Sequence, residues 1–151
     1  RDEDVVRYVG GLNFDPATGQ INGAAFDRSP KDVDGLSVTR TGMLGRVGLL
    51  DEEAIRRAVG SRLTIGATSV FAQFNVGALV TALEEFEQPI DVVEDPLPAE
   101  GALLANPAHA LILGLPFTGE TAGSLKSEVA GDKIRQIVHH TFPGRAPVAD
   151  A

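Results

Sequence analysis

The sequence has no cysteine and no tryptophan, and only one tyrosine and one methionine among 151 residues. Without cysteine there can be no disulfide, no thiol nucleophile and no thiolate-held metal. Long apolar runs are missing too. The longest, residues 108–116, contains His109 and falls well short of the ~18 residues that cross a bilayer. No signal-type apolar stretch follows the opening Arg1-Asp2-Glu3-Asp4. These absences fit a cytoplasmic protein. The motifs G-x-x-x-x-G-K-[ST] and G-x-G-x-x-G are absent, so no phosphate loop or dinucleotide fingerprint is expected. No G-x-S-x-G elbow marks a serine nucleophile. The acids show no EF-hand spacing, and three histidines, two of them adjacent, make a poor metal set. No metal or cofactor is expected.

The most telling absence is of positive charge. Residues 63–120 contain no Lys or Arg but eight acids, so this segment alone carries −8, the net charge of the whole chain. Residues 1–62 carry nine basic and ten acidic side chains, and residues 121–151 four and three. A pI near 4.8 argues against nucleic acid, whose binding needs a basic surface to release counterions. It argues equally against anionic membranes. Ten arginines against three lysines fit a GC-rich, bacterial coding sequence.

What is present is enough to fold. The apolar share is 43% and the charged share 23%, which is globular composition. The length suits one domain, expected over residues 1–145 with a disordered tail at 146–151. Seventeen glycines favour turns over a helical bundle. The expected class is α/β or α+β, a single compact domain with a mixed sheet of about five to seven strands and about three helices.

Strands are expected over residues 5–9, 21–26 and 36–39 from their β-branched and aromatic content. Asp51 opens a helix, with Glu52 and Glu53 suiting the positive end of its dipole. Gly60 and Ser61 end it. Residues 68–74 read as a buried strand, with Val70, Ala72 and Phe74 on one face and Phe71 on the other. Asn75 is the N-cap of a helix over residues 76–86 that lines up Val76, Leu79, Val80 and Leu83, with Phe86 continuing the face. A strand over residues 90–93 would complete a parallel strand–helix–strand crossover. Three prolines and Gly101 keep residues 95–107 out of regular structure. Residues 110–115 form another strand. A last helix over residues 122–140 carries Ala130, Ile134, Ile137 and Val138 on one face and places His139 and His140 at its C-terminal end. Gly42, Gly45 and Gly48 mark a mobile loop.

Two functional readings follow. The first is a small protein-binding or regulatory module that presents an acidic patch, formed by Glu84, Glu85, Glu87, Asp91, Glu94 and Asp95, to a basic protein partner or a second copy of itself. By charge alone this is the pattern of bacterial immunity proteins and antitoxins. The patch stays self-repelling unless cations such as Arg56, Arg57 and Arg62 reach it in the fold. The alternative is a small hydrolase or transferase domain. In it, Arg7, Asp34, Arg40 and His109 converge in a cleft from separate strands, with Asp34, Arg40 and His109 as the catalytic group.

Overall fold

The computed structural model describes residues 3–26, 35–44, 51–86, 89–116 and 121–145. In chain order the elements are β1 (Asp4–Val9), β2 (Phe14–Asp15), β3 (Gln20–Ile21), β4 (Leu36–Arg40), α1 (Asp51–Gly60), β5 (Val70–Asn75), α2 (Val76–Ala82), β6 (Asp91–Glu94), β7 (His109–Leu113), α3 (Thr121–Ile137) and β8 (His140–Pro143). Six strands form one sheet in the order β6-β7-β4-β1-β5-β8, and β2 and β3 form a small hairpin. The architecture is α+β. Asp34, Glu87, Gly45, Gly48 and residues 146–151 lie outside the described residues. Among the described residues no helix is long and apolar enough to cross a membrane.

Every pairing in the main sheet is antiparallel, so the sheet is not mixed and the expected parallel crossover does not form. β5 and β6 are not neighbours; β1, β4 and β7 separate them. The chain from β5 runs through α2 to the far edge of the sheet. There β6 pairs antiparallel with β7, the next strand in the chain.

The strand alternation sorts the core into two layers. Val5, Val9, Val70, Ala72 and Phe74 face one side, where Leu79 and Leu83 from the α2 segment and Ala130 and Ile134 of α3 cover them. Val6, Phe71 and Phe142 face the other side with Ile55 of α1. The split of β5 into Val70, Ala72 and Phe74 against Phe71 is the one its sequence pattern implied.

Local chemistry sets most element ends. Asn75 Oδ1 accepts from Ala78 N at 3.0 Å and caps α2. α2 stops at Ala82, four residues short of the expected end, because Leu83 leaves the helical region at ψ 13°. Residues 21–26 do not form one strand. Asn22 Oδ1 accepts from Ala24 N at 3.0 Å, and this Asx turn converts Gly23–Phe26 into a 3-10 turn. The turn lies against α3, where a Cβ on Gly23 would come within 2.9 Å of Asp132 N. α3 ends at Ile137, so His139 and His140 do not sit at a helix terminus as expected. His140 begins β8, whose Phe142 stacks on Phe71 with centroids 5.1 Å apart.

Candidate functional site

β1 and β4 pair only through Val5–Arg40 and Val6–Thr39, whereas β1 and β5 pair along six residues. Beyond Val6 the two strands separate. The Arg7 side chain takes over where the backbone ladder stops: Nη1 donates to Ser37 O at 2.8 Å and Nε to Ala25 O at 3.2 Å. On the α1 side of the sheet this opening is continuous with a cleft of about 360 Å³, at the lower end of the range for small-molecule sites. Val6, Tyr8 and Phe71 contribute to its walls from the sheet, Val59 from α1 and Leu97 from the segment between β6 and β7. Tyr8 is fixed at both ends: its ring meets Phe71 edge-on at 5.6 Å, and its hydroxyl accepts from Gly66 N at 2.9 Å.

The proline-rich segment between β6 and β7 forms no helix or strand, as expected, but two isolated antiparallel bridges cross it. Leu97 and Asn106 exchange backbone bonds of 3.0 and 2.8 Å, as do Glu100 and Leu103 at 3.0 and 2.9 Å. The segment is therefore a hairpin arm that prolongs β6 and β7. Its prolines fit because Pro96, Pro98 and Pro107 do not occupy the pairing positions, where an N–H is needed. The arm is latched beside α1. Arg62 Nη2 donates to Pro98 O at 2.9 Å and Leu104 O at 3.0 Å, and Ser61 Oγ accepts from Leu104 N at 3.0 Å. At its base Asn106, 2% exposed, donates to Thr39 Oγ1 at 3.3 Å and accepts from Ala108 N at 3.2 Å.

His109 lines the cleft with a side chain only 11% exposed. Its Nδ1 lies 2.8 Å from Asp95 O and 3.1 Å from Asp95 Oδ2. A carbonyl and a carboxylate can only accept, so Nδ1 carries the proton. In the neutral ring the lone pair is therefore on Nε2, which meets no partner among the described residues. An imidazole held this way can accept a proton, or a hydrogen bond, from something in the cleft.

The residues expected to converge do so only in part. Arg7 and His109 line the same cleft. Arg40 is not brought to it; at the end of β4 it pairs with Glu3 at 2.7 Å and Glu94 at 2.8 Å. The Glu3 bond, reinforced by Glu94, raises the Arg40 pKa above its ordinary value despite partial burial. Asp34 falls outside the described residues. The acid beside His109 is Asp95, which the sequence had grouped with the acidic patch. Tyr8, Ser37, Thr39, Arg62 and Asn106 supply the rest of the polar lining. The signal for Asp95 was the pair Asp95-Pro96 and Asn106-Pro107: two turn-forming steps bracketing a hairpin whose base returns residue 109 to residue 95.

The acidic residues are divided by the fold. Glu84 and Glu85 lie in the turn after α2, Asp91 at the start of β6, and Glu94 and Asp95 at its other end. Glu85 pairs with Lys133, Glu94 with Arg40 and Asp95 with His109. Arg40 and Lys133 come from the first and last thirds of the chain and His109 from the middle segment itself, and none of them is among the expected cations. Arg56 and Arg57 pair within α1 with Glu52 and Glu53 at 3.8 and 3.7 Å, and Arg62 binds carbonyls. The adjacent histidines diverge, His139 Nε2 to Asp4 at 2.9 Å and His140 Nε2 to Glu52 at 3.4 Å. Among the described residues no group of three metal-ligating side chains converges.

Compared with protein-family models, curated proteins and solved structures, the chain matches none. The reading of the cleft rests on its own geometry.

Proposed function

We propose that the protein is a small-molecule-binding domain with general-base capacity, and that the cleft under the β6–β7 arm is where the ligand binds. One observation carries this reading. His109 is held at Nδ1 by both acceptors of Asp95, inside a cleft of about 360 Å³. Apolar walls with a few convergent polar groups are the usual composition of such sites. An oriented imidazole is the most useful polar group at neutral pH. The proposed role of His109 is to accept a proton or hydrogen bond from the ligand through Nε2, with Asp95 orienting the ring. This is the proton-transfer half of the hydrolase or transferase chemistry that the sequence offered as the alternative to a protein-binding module.

This reading is favoured over an acidic docking surface because three of the acids already meet Arg40, Lys133 and His109 within the chain. The remaining charge at β6 suits the protection of an edge strand, which charged side chains keep from pairing with other molecules.

The test is a fragment screen read by NMR on the histidine side chains. Fragments that bind the cleft are expected to move the His109 ring signals and leave those of His139 and His140 in place. His109→Ala should weaken the same fragments about 10-fold, the effect of losing one good hydrogen bond. Binding that ignores His109 and maps to another face would overturn the proposal.

A further inference from the structure

The cleft holds a positive charge that no described acid answers. Arg62 lines it, yet its guanidinium binds only two backbone carbonyls, Pro98 O and Leu104 O, both through Nη2. Arg62 enters none of the ion pairs among the described residues, unlike Arg40, Arg56, Arg57 and Arg135, each of which meets a carboxylate. Its Nε is buried and has no acceptor. A buried donor without a partner is uncommon in a folded protein and costs stability. A guanidinium beside Val59, Leu63 and Leu97 also loses part of its hydration without gaining a counter-charge. Arg145 also bonds only a carbonyl, that of Ile65, but it does not line the cleft; Arg62 combines the missing carboxylate with a buried, unpartnered Nε and a place in the cleft wall.

We propose that the ligand of this cleft is an organic carboxylate with an apolar or aromatic body, and that Arg62 is its counter-ion. The proposal rests on the reading of the cleft given above. The carboxylate would take charge-assisted bonds from Arg62 Nη1, the guanidinium nitrogen that is neither buried nor bonded among the described residues, and such bonds are shorter and stronger than bonds between neutral groups. The body would lie along Val59, Leu63 and Leu97, the apolar lining residues that keep exposed surface. His109 would meet whatever polar group the body carries at the other end. Because Arg62 also ties down Pro98 and Leu104, ligand binding and closure of the hairpin arm share one side chain.

Matched pairs of probes test this: benzoate against benzamide, and phenylacetate against phenylacetamide, titrated into the intact protein and followed by His109 ring signals and Arg62 Nε–H. The carboxylates are expected to bind at least about 10-fold tighter than their amides. Arg62→Gln should bring that ratio close to one. Ser61→Ala removes a tie to Leu104 without touching the charge, so it should keep the ratio even if both affinities fall. If the amides bind in the cleft as tightly as the carboxylates, or if Arg62→Gln preserves the ratio, the anion proposal is wrong while the cleft reading stands. If neither class moves His109, both fall together.

Discussion

Asp4 shows how a single residue couples the first strand to the last segments of the chain. Its carboxylate accepts from Gln73 Nε2 at 2.8 Å, Asn75 Nδ2 at 3.2 Å and His139 Nε2 at 2.9 Å. Burial pushes its pKa up, but the bonds from Gln73, Asn75 and His139, with the His139 charge, outweigh that and hold it below the ordinary 3.8. A depressed carboxylate pKa means that the unfolded chain binds the proton more readily. The contribution to stability is therefore complete above pH 3.8 and is lost as pH falls through the lower folded value. Urea melts between pH 6 and pH 2.5 should show Asp4→Asn losing less stability over that range than the parent protein. Equal losses would remove Asp4 from the acid response. His109 presents the opposite problem of legibility. The sequence singled it out beside the strand following Asn106-Pro107, but its partner depends on which strand pairs with which. Asp95 comes within reach only because β6 and β7 form a hairpin.

Among the elements, the strand ends and helix caps carry the sharpest energetic consequences. Gly114, just after β7, has φ +91°, and a Cβ there would come within 2.3 Å of Pro89 O. Backbone cannot yield as a side-chain tip can. Gly114→Ala should cost at least about 2 kcal/mol, combining left-handed strain with the clash. Gly101, at the tip of the hairpin arm, has φ +58° with open space around it. Gly101→Ala should cost only about 1 kcal/mol. Denaturant midpoints for the two variants would test the ordering, and a reversed order would contradict the assigned close approach. Asn75→Ala removes the α2 cap and also bonds to Glu3 O and Asp4. A loss of about 1–2 kcal/mol is expected on the same assay.

At the scale of the molecule, the two core layers share β1 and β5. Phe71 and Phe74 lie on opposite faces of one strand, so neither layer can lose its packing without exposing the back of the other. Unfolding should be a single cooperative transition. The composition supplies a clean probe. The lone tyrosine, Tyr8, packs against the α1-side layer, and tryptophan is absent. Tyrosine fluorescence therefore reports one layer, while far-ultraviolet circular dichroism reports the whole chain. The two melting curves should coincide; a tyrosine transition several degrees below the other would show that the α1 layer opens independently.

Where information is local, the sequence alone determined the outcome. The alternation of β5, the Asn75 cap, the apolar face of α2 and the burial of Ala130 and Ile134 all follow from neighbours within a few residues. Spacing along one element fixes which side chains share a face. Only the tertiary structure decided strand order, antiparallel pairing throughout the main sheet and the hairpin arm over residues 95–107. It also decided the partners of the charged residues. Those depend on contacts between residues far apart in the chain, whose closure entropy and packing no local pattern encodes. The segment without Lys or Arg illustrates the difference. Its composition implied a self-repelling face, while the fold sends Arg40 to Glu94, Lys133 to Glu85 and His109 to Asp95, and leaves Arg62 in the cleft.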